Sequence, residues 1–368
     1  QQLGDLFARA LVMEKGDTRV AIVGVDFLGW NAVLSAKVSA QVPGIPAENI
    51  LIGATHTHSA PDTYGFPDMR GQHHADLDYL DWVCDMTAQA INEALEKSQP
   101  ASLKIAVDDA KGKIAYNYYA PQLYDPRCSV LQAIAKDGST IATLVNYASH
   151  PEIIGPGQGI LSPDFCGPLY DRIEAAVGGV AIYMNGAQGG MVTADCRGPE
   201  GKDIQTWEEC IRIGELLADE ALRIVADAPL QQNPALYCAA KTIRFPLESP
   251  LLRTVLKRSP LEFDLPDDNH IPTRLNLINA GTAQMITIPG EALPNIGYYI
   301  KRNMPTKHTF LLGLTNDALG YIIAKVDFNS FKRYEYISRT SLGEMTGEIL
   351  MEEALALSAA SPKPDPKP

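Results

Sequence analysis

Three short apolar segments of the sequence each run into a loop rich in glycine, proline and polar residues. The segments are residues 49–52, 140–147 and 179–184. Apolar segments of this length favour buried strands, and open α/β sheets build their sites in loops at the carboxyl ends of such strands. Residues 76–98 and 206–228 have the periodicity of long amphipathic helices. The sequence therefore predicts an α/β fold in which mixed β-sheets are layered with long α-helices.

The loop after the first segment carries two histidines, His56 and His58. On an extended chain, side chains two residues apart share a face, so we expect both imidazoles on the same side. Such a pair can hold one metal ion, or divide the work of metal ligand and proton carrier. A hydrogen-bonded structural pair is the other interpretation that this spacing allows. The second loop repeats the arrangement, because His150 and a proline follow its strand.

Composition excludes several classes of protein. The chain has 368 residues, 46% of them hydrophobic, and a formal net charge of -13. It can therefore form a sizeable core, and its charge argues against nucleic acid or an anionic membrane surface as an obligate partner. No apolar run approaches the roughly 20 residues that a membrane span needs. The six cysteines are scattered without a Cys-x-x-Cys pair, which favours free buried thiols over a zinc ribbon.

The sequence predicts one catalytic domain over residues 1–358 and a proline-rich tail or linker over residues 359–368. Residues 247–272 are polar and contain proline, which predicts an excursion over the surface. Because apolar residues begin almost at once after Gln1, we expect further residues upstream of it. We also predict a secreted or periplasmic location.

Two aspartates are candidate catalytic residues. Asp26 ends a strand predicted over residues 18–26, where a carboxylate can open towards a site. Asp164 follows Ser162 and Pro163, a sequence that predicts the start of a helix running to about residue 176. For Asp26, capping of the loop is the alternative role.

The third loop and an aromatic segment offer candidate substrate contacts. Gly189 and Gly190 can bring backbone N–H groups close to a developing oxyanion, although an ordinary tight turn is the alternative. Residues 114–121 form an aromatic loop that can border a cleft. Within that loop, Asn117 and Tyr118 are candidate substrate-binding residues.

Six stretches together resemble the neutral (non-lysosomal) ceramidase family, in its N-terminal catalytic domain. They match that family in order and approximate spacing over nearly the whole chain. The stretches are residues 54–61 (Ala-Thr-His-Thr-His-Ser-Ala-Pro), 146–151 (Asn-Tyr-Ala-Ser-His-Pro), 161–165, 185–190, 289–291 and 316–321. The first two form a specific pair of motifs, so the chain is identified as a divergent member of this superfamily.

The resemblance implies a catalytic Zn2+ ion held by His56, His150, Glu291 and Tyr321, with His58 beside it. Two neutral imidazoles and one carboxylate leave the zinc with a net positive charge, which lowers the pKa of a bound water towards about 7. The resemblance implies that this water attacks a carbonyl carbon while His58 relays a proton to the leaving group. Taken singly, Glu291 would more often be a surface or helix-capping residue, and Tyr321 a core residue. Their joint occurrence at strand ends with the histidines is what favours the ligand roles.

The sequence departs from the family in the third loop. The ceramide hydrolases carry Gly-Asp followed by Ser-Pro-Asn, where residues 189–195 of this chain are Gly-Gly-Met-Val-Thr-Ala-Asp. Thr193 replaces the active serine only with a one-residue shift, and the loop around Asn117 lacks the arginine usual in the family. The metal site is therefore kept while the substrate apparatus is altered, and ceramide is not the expected substrate.

Three functions are consistent with these residues. The first is a zinc-dependent hydrolase that cleaves an amide or ester bond in a small-molecule or lipid-like substrate. The second is a metal-dependent hydrolase of a glycan or other sugar-linked substrate, with Asp26 and Asp164 taking part and a polar cleft lined by Tyr118, Tyr119 and Asp62. The third is a non-catalytic metal-binding protein, whose metal would be four-coordinate with no open position.

Overall fold

The computed structural model describes residues 1–68 and 70–366. The strands are β1 (Ala8–Lys15), β2 (Thr18–Val25), β3 (Ile50–Ala54), β4 (Ala101–Asp109), β5 (Ala115–Asn117), β6 (Arg127–Ala135), β7 (Thr140–Tyr147), β8 (Val180–Asn185), β9 (Val192–Ala194), β10 (Leu236–Pro246), β11 (His270–Ala280), β12 (Ala283–Thr287), β13 (Glu291–Ala292), β14 (His308–Leu312) and β15 (Tyr321–Ile322). The helices are α1 (Ala32–Ser39), α2 (Leu77–Glu96), α3 (Cys166–Val177), α4 (Trp207–Ala226), α5 (Pro250–Arg258), α6 (Pro294–Asn303), α7 (Glu335–Arg339) and α8 (Thr346–Ala360).

These strands form three larger sheets and two small ones. Their strand orders are β1-β2-β3, β4-β6-β7-β8, β10-β11-β12-β14, β5-β9 and β13-β15. The pairs β2/β3, β7/β8, β12/β14 and β13/β15 are parallel, and the other pairs are antiparallel. The predicted α/β fold with mixed sheets is confirmed.

The three larger sheets share one apolar core. Leu51 of β3, Ile182 of β8 and Phe310 of β14 are fully buried in the same cluster of side chains. Helices cover the outer faces, with α1 and α2 on the first sheet, α3 and α4 on the second, and α6 and α8 on the third. None of the described helices is long and apolar enough to cross a bilayer.

The carboxyl ends of strands from all three sheets meet in one place. Gly53 of β3 forms a β-bridge with Thr315, which follows β14. The N–H of Gly313 donates to the carbonyl of Asn185 at the end of β8, at 2.8 Å. The loops that follow these strands are therefore close together, as the α/β pattern predicts.

Most helices and strands lie where the sequence periodicity predicts them. Helix α2 begins after Asp76, whose side chain accepts from the N–H of Tyr79, and α4 begins after Thr206, which caps it in the same way. The predicted start of α3 is wrong. That helix begins at Cys166, because Asp164 adopts a φ of 55° in the left-handed region and interrupts the turn.

Three other segments differ from their predictions. Residues 247–272 contain α5 and are not a plain excursion over the surface. The aromatic loop at 114–121 includes the short strand β5, which pairs with β9. In the predicted tail, α8 continues to Ala360 and the N–H of Asp365 donates to the carbonyl of Gly281. The last two residues of that tail lie outside the described residues.

Candidate metal centre

Three histidine side chains converge at the meeting point of the sheets. One ring nitrogen from each of His56, His58 and His150 lies within 4.8 Å of the others, an arrangement that can hold a metal ion. The ring centroid of His56 is 4.9 Å from that of His58 and 4.8 Å from that of His150. The loop is not the extended chain on which this expectation rested, because β3 ends at Ala54 and His56 has a φ of 73°, but the two rings do lie together as expected. Tertiary contacts hold the two rings together.

The buried side chain of Asn185 ties the two histidine loops to each other. Its Nδ2 donates to the carbonyls of Thr55 at 2.9 Å and Ser149 at 3.0 Å, the residues that precede His56 and His150. Its Oδ1 accepts from the N–H of Ser149 at 3.2 Å. One amide thereby fixes the separation of two loops that come from different sheets.

Glu291 brings a carboxylate to the two imidazoles. Its Oε2 lies 3.1 Å from Nε2 of His150 and 3.5 Å from Nε2 of His56, and the residue is 7% exposed. Gly189 makes this position possible, because a Cβ on Gly189 would lie 2.2 Å from the carbonyl oxygen of Glu291. Two imidazoles and one carboxylate thus meet at a buried point.

Both of these histidines use their other ring nitrogen to bond the backbone. Nδ1 of His56 contacts the carbonyl of Leu28, and Nδ1 of His150 lies 2.6 Å from the carbonyl of Val192. Since a carbonyl only accepts, each Nδ1 carries the proton and donates it, and each Nε2 faces Glu291. Histidines that bind metals are oriented by this type of bond.

The electrostatics of this point favour a positive charge. Burial alone would raise the pKa of Glu291, but the charge of His56 and the hydrogen bond from His150 hold that pKa well below its usual range. Burial alone would lower the pKa of His150, but the hydrogen bond to Glu291 and the charge of Glu152 raise it to about 9. A proton on His150 or a metal cation satisfies the same carboxylate, so the donor set fits a divalent cation.

His58 has different surroundings. Its Nδ1 lies 3.7 Å from Oε2 of Glu152, and its Nε2 is buried with no hydrogen-bond partner among the described residues. Burial, followed by the positive fields of His56 and His150, lowers the pKa of His58 to about 2. His58 is therefore a neutral imidazole with one nitrogen free for a ligand or a water molecule.

Tyr321, the fourth ligand implied by the family resemblance, lies beside Glu291. The parallel strands β13 and β15 pair with these two residues in register. The Tyr321 hydroxyl is 3.7 Å from Sδ of Met191. Burial and the charge of Glu291 raise the pKa of Tyr321 well above its usual range, so the phenol keeps its proton.

A pocket of about 200 Å³ opens onto this site. His56, His58, Glu291 and Tyr321 form part of its lining. Much of the remaining lining is apolar and consists of Leu28, Phe66, Leu252, Leu256, Phe263, Ala318, Leu319 and Leu342. The candidate metal ligands therefore lie against an apolar wall, part of which is contributed by α5.

The two predicted catalytic aspartates are not part of this pocket lining. Asp26 is fully buried and accepts hydrogen bonds from the N–H of Phe7 at 2.9 Å and the hydroxyl of Tyr170 at 3.1 Å. Asp164 is fully buried and accepts from the N–H groups of Ile154 and Phe165. Burial raises the pKa of both carboxyls to about 6. Both aspartates stabilise the fold, because their oxygens accept hydrogen bonds from other groups of the protein.

The predicted contacts in the aromatic loop also lie outside the lining residues. Asn117 is buried and its Oδ1 accepts from the N–H of Tyr119 at 2.9 Å, while its Nδ2 donates to the carbonyl of Leu123. Tyr118 is 61% exposed and its ring packs beside Tyr119. Asn117 therefore shapes its own loop, and Tyr118 faces solvent.

The predicted residues of the third loop support the metal ligands through the backbone. The N–H of Gly189 donates to the carbonyl of Ala292 at 2.9 Å, so it is not free to bind an oxyanion. Gly190 adopts a φ of 71° against the side chain of Leu293. Thr193 forms a β-bridge with His150, which places it beside that ligand by its main chain.

Sequence reasoning missed Glu152, Asn185 as an organiser of the loops, and the leucines of α5. Glu152 directly follows the His-Pro motif, and this position was the one sequence feature that could have marked it as a residue of the candidate site. Asn185 lay within a matched stretch, but its partners come from two other loops. The α5 leucines were hidden by a segment whose average composition is polar.

No family model matches the sequence, and no curated protein matches it either. Solved structures do share its architecture. The crystal structure of neutral ceramidase from Pseudomonas aeruginosa superposes with a TM-score of 0.78 at 17% sequence identity, over 98% of this chain and 70% of that chain. A structure described as ceramidase complexed with C2 gives a TM-score of 0.78 at 16% identity, over 98% and 71%. The chain therefore has the neutral ceramidase fold.

Proposed function

We propose that this protein is a metal-dependent hydrolase that cleaves an amide or ester bond next to an apolar acyl group. The observation that carries the proposal is the meeting of His56, His150 and Glu291, of which His56 and Glu291 line a largely apolar pocket. The neutral ceramidase fold of the chain agrees with such an activity.

The three groups would hold the metal through Nε2 of each histidine and the Glu291 carboxylate. Nitrogen and oxygen donors of this kind suit Zn2+, and Tyr321 beside Glu291 is available as a further ligand. A bound zinc ion would polarise the substrate carbonyl and lower the pKa of a water molecule. The carbonyls of Leu28 and Val192 would keep both imidazoles in the tautomer that presents Nε2.

His58 would orient the attacking water in this reaction. Its Nε2 has no protein partner in the described part of the chain and its imidazole is neutral, so it can accept a hydrogen bond from that water. Because its pKa is lowered to about 2, the ring would position the water without holding the proton itself. Glu152, at 3.7 Å from Nδ1, would hold the ring in the required orientation.

The pocket lining favours an acyl substrate over a sugar. The sugar-linked alternative needs a polar cleft with Tyr118 and Asp62, but Tyr118 faces solvent and Asp62 accepts from the N–H groups of Tyr64 and Gly65. The leucines of α5 and Phe263 instead offer a surface for a hydrocarbon chain. The non-catalytic alternative leaves the free nitrogen of His58 without a role.

The test compares metal content and hydrolysis in matched variants. The wild type is expected to bind about one zinc per chain and to hydrolyse para-nitroanilides or para-nitrophenyl esters of fatty acids in preference to para-nitrophenyl glycosides. The double variant His56→Ala/His150→Ala should lose both properties. The control, His74→Ala/His270→Ala, removes two exposed histidines and should keep both.

Elemental analysis and absorbance assays give the two readouts. A wild-type protein that binds no stoichiometric metal after zinc is supplied would overturn the proposal. Hydrolysis of the glycosides alone would replace it with the sugar-linked alternative.

A further inference from the structure

The polar side chains that line the pocket are not equivalent in their hydrogen bonding. Asn31 and Asp317 line the pocket, but both side chains are occupied by the fold. Asn31 accepts from the N–H of Leu34 and donates to the carbonyl of Thr63. Asp317 accepts from the N–H groups of Ala32 and Ala318 and from the hydroxyl of Thr273. Neither side chain needs a ligand to satisfy it.

Tyr64 also lines the pocket, and its hydroxyl has no hydrogen-bond partner among the described residues. Burial, reinforced by the charges of Glu291 and Asp317, raises the pKa of Tyr64 well above its usual range. The phenol therefore keeps its proton at neutral pH and can donate it in a hydrogen bond. Tyr64 is half-buried, and its hydroxyl stays accessible from the pocket, so a bound ligand can accept the hydrogen bond that no protein group takes.

The backbone on either side of Tyr64 is held by side-chain hydrogen bonds. Its N–H donates to Asp62 Oδ1 at 2.8 Å, and its carbonyl accepts from the hydroxyl of Ser259 at 2.9 Å. The preceding residue, Thr63, donates its hydroxyl to the carbonyl of Gly29 at 2.7 Å. The Tyr64 ring packs against Phe66 with centroids 4.5 Å apart. The hydroxyl is thus presented by a fixed frame.

Gly29 leaves room for this hydroxyl beside the segment that orients His56. A Cβ on Gly29 would lie 2.2 Å from the Tyr64 oxygen, so only glycine leaves room for it there. The neighbouring residue, Leu28, supplies the carbonyl that orients His56. The free hydroxyl is therefore next to the segment that supports the candidate metal centre, on a pocket shared with His56 and Glu291.

We propose that the Tyr64 hydroxyl donates a hydrogen bond to the carbonyl oxygen of the bound acyl substrate and to the negative charge that develops on it. This inference rests on the proposed function and assigns a further catalytic residue to it. A preorganised donor aimed at a developing oxyanion stabilises the transition state more than the bound substrate. With the Gly189 N–H already bonded to Ala292, Tyr64 would take the part that the sequence suggested for that glycine.

The test is Tyr64→Phe, which removes one oxygen atom and keeps the ring packing. With a fatty-acyl para-nitroanilide as substrate, kcat should fall about 100-fold while KM changes little, as for loss of one oxyanion donor. Binding of decanohydroxamate to the zinc-loaded protein, measured by calorimetry, should weaken about tenfold. Zinc content and thermal midpoint should match the wild type. Tyr79→Phe is the matched control, because Tyr79 packs on Phe27 and is not a lining residue of the pocket.

The outcomes separate this inference from the proposed function. Unchanged kcat and hydroxamate affinity in Tyr64→Phe would overturn the inference alone. Loss of zinc or of thermal stability in that variant would also overturn it, by showing a structural role. A wild type that binds neither zinc nor hydroxamate would overturn the proposed function, and this inference with it.

Discussion

Glu291 and Asp26 are both buried carboxylic acids, 7% and 0% exposed, yet their pKa values are shifted in opposite directions. Asp26 accepts from one backbone N–H and one neutral hydroxyl, and these bonds together with the charge of Arg9 do not offset the cost of burying the carboxylate. Glu291 faces two imidazoles, whose positive charge outweighs the same cost. Asp164 and Asp317 behave like Asp26, each with a pKa raised to about 6.

The comparison shows that burial alone does not mark a functional carboxylate in this protein. The groups that contact each buried carboxylate decide whether it has a structural or a functional role. Backbone N–H groups and hydroxyls turn a buried aspartate into a cap or a turn, whereas imidazoles on two different loops turn a glutamate into a candidate metal ligand. The sequence predicted a catalytic role for Asp26 from the end of its strand, and the family resemblance implied that Glu291 is a metal ligand.

The largest expected difference between the two classes is in metal binding. Glu291→Gln keeps the size of the side chain but removes the negative charge, so zinc affinity should fall by more than about 100-fold. Asp26→Asn is the matched control and should leave zinc affinity within about twofold of the wild type. Competition with a chromophoric chelator measures both. Equal zinc affinity in Glu291→Gln and the wild type would show that Glu291 is not a metal ligand and does not differ from Asp26 in this respect.

The pH dependence of stability should show the raised pKa of Asp26. Its pKa is about 6 in the folded protein and 3.8 in the reference state, so the folded form holds its proton over a range where the unfolded form has lost it. The protonated Asp26 therefore stabilises the folded protein fully below pH 3.8, the pKa of the reference state. As pH rises from there through about 6, the free energy of unfolding should fall by roughly 3 kcal/mol. Urea unfolding between about pH 4 and pH 8 should therefore show a smaller decline in Asp26→Asn than in the wild type. Parallel curves for the two proteins would contradict the assignment.

Asp164→Ala should destabilise the protein by about 2 kcal/mol, because two buried N–H groups lose their acceptor. Asp164→Asn should cost less, since it keeps one acceptor oxygen and tolerates the left-handed conformation. Denaturant midpoints give the energies, and zinc affinity should stay at the wild-type value in both variants. A loss of zinc affinity in a folded Asp164→Asn would return this residue to the metal centre.

An exposed carboxylate that accepts from a backbone N–H should give the smallest loss of stability when it is removed. Asp76 caps α2 by accepting from the N–H of Tyr79 at 3.0 Å, and it is exposed to solvent. Asp76→Ala should therefore cost only about 1 kcal/mol. The control is Asp78→Ala, because Asp78 lies two residues further along in the first turn and makes no capping bond. This variant should change the denaturant midpoint less. If Asp76→Ala lost as much unfolding free energy as Asp164→Ala, burial would not determine the size of the effect.

The sequence was enough to predict which segments form the frame and which loops carry the site. Helices α2 and α4 differ from their predicted boundaries by one or two residues at each end. These elements were predictable because apolar periodicity and capping residues act within a few positions of the chain. The six stretches that resemble neutral ceramidases likewise implied the fold that the solved structures share.

Local conformation at the site was not predictable in the same way. The positive φ of His56 and of Asp164 opposes the preference of those residues, so it exists only because the surrounding contacts impose it. The pocket wall from α5 depended on two leucines in a segment that is polar on average. Tyr64 had no motif at all, and its free hydroxyl is defined by what Gly29 leaves open.

The sequence by itself determined the strands, the helices and the two histidine loops, because hydrophobic periodicity and turn residues are local properties of the chain. The tertiary structure decided which carboxylate meets the histidines. Glu291 lies 141 positions from His150, and they contact because the three larger sheets pack on one core. Hydrogen bonds and charge pairs over such separations depend on the folded geometry, so buried aspartates that look equivalent in the sequence become caps while one glutamate becomes a candidate ligand.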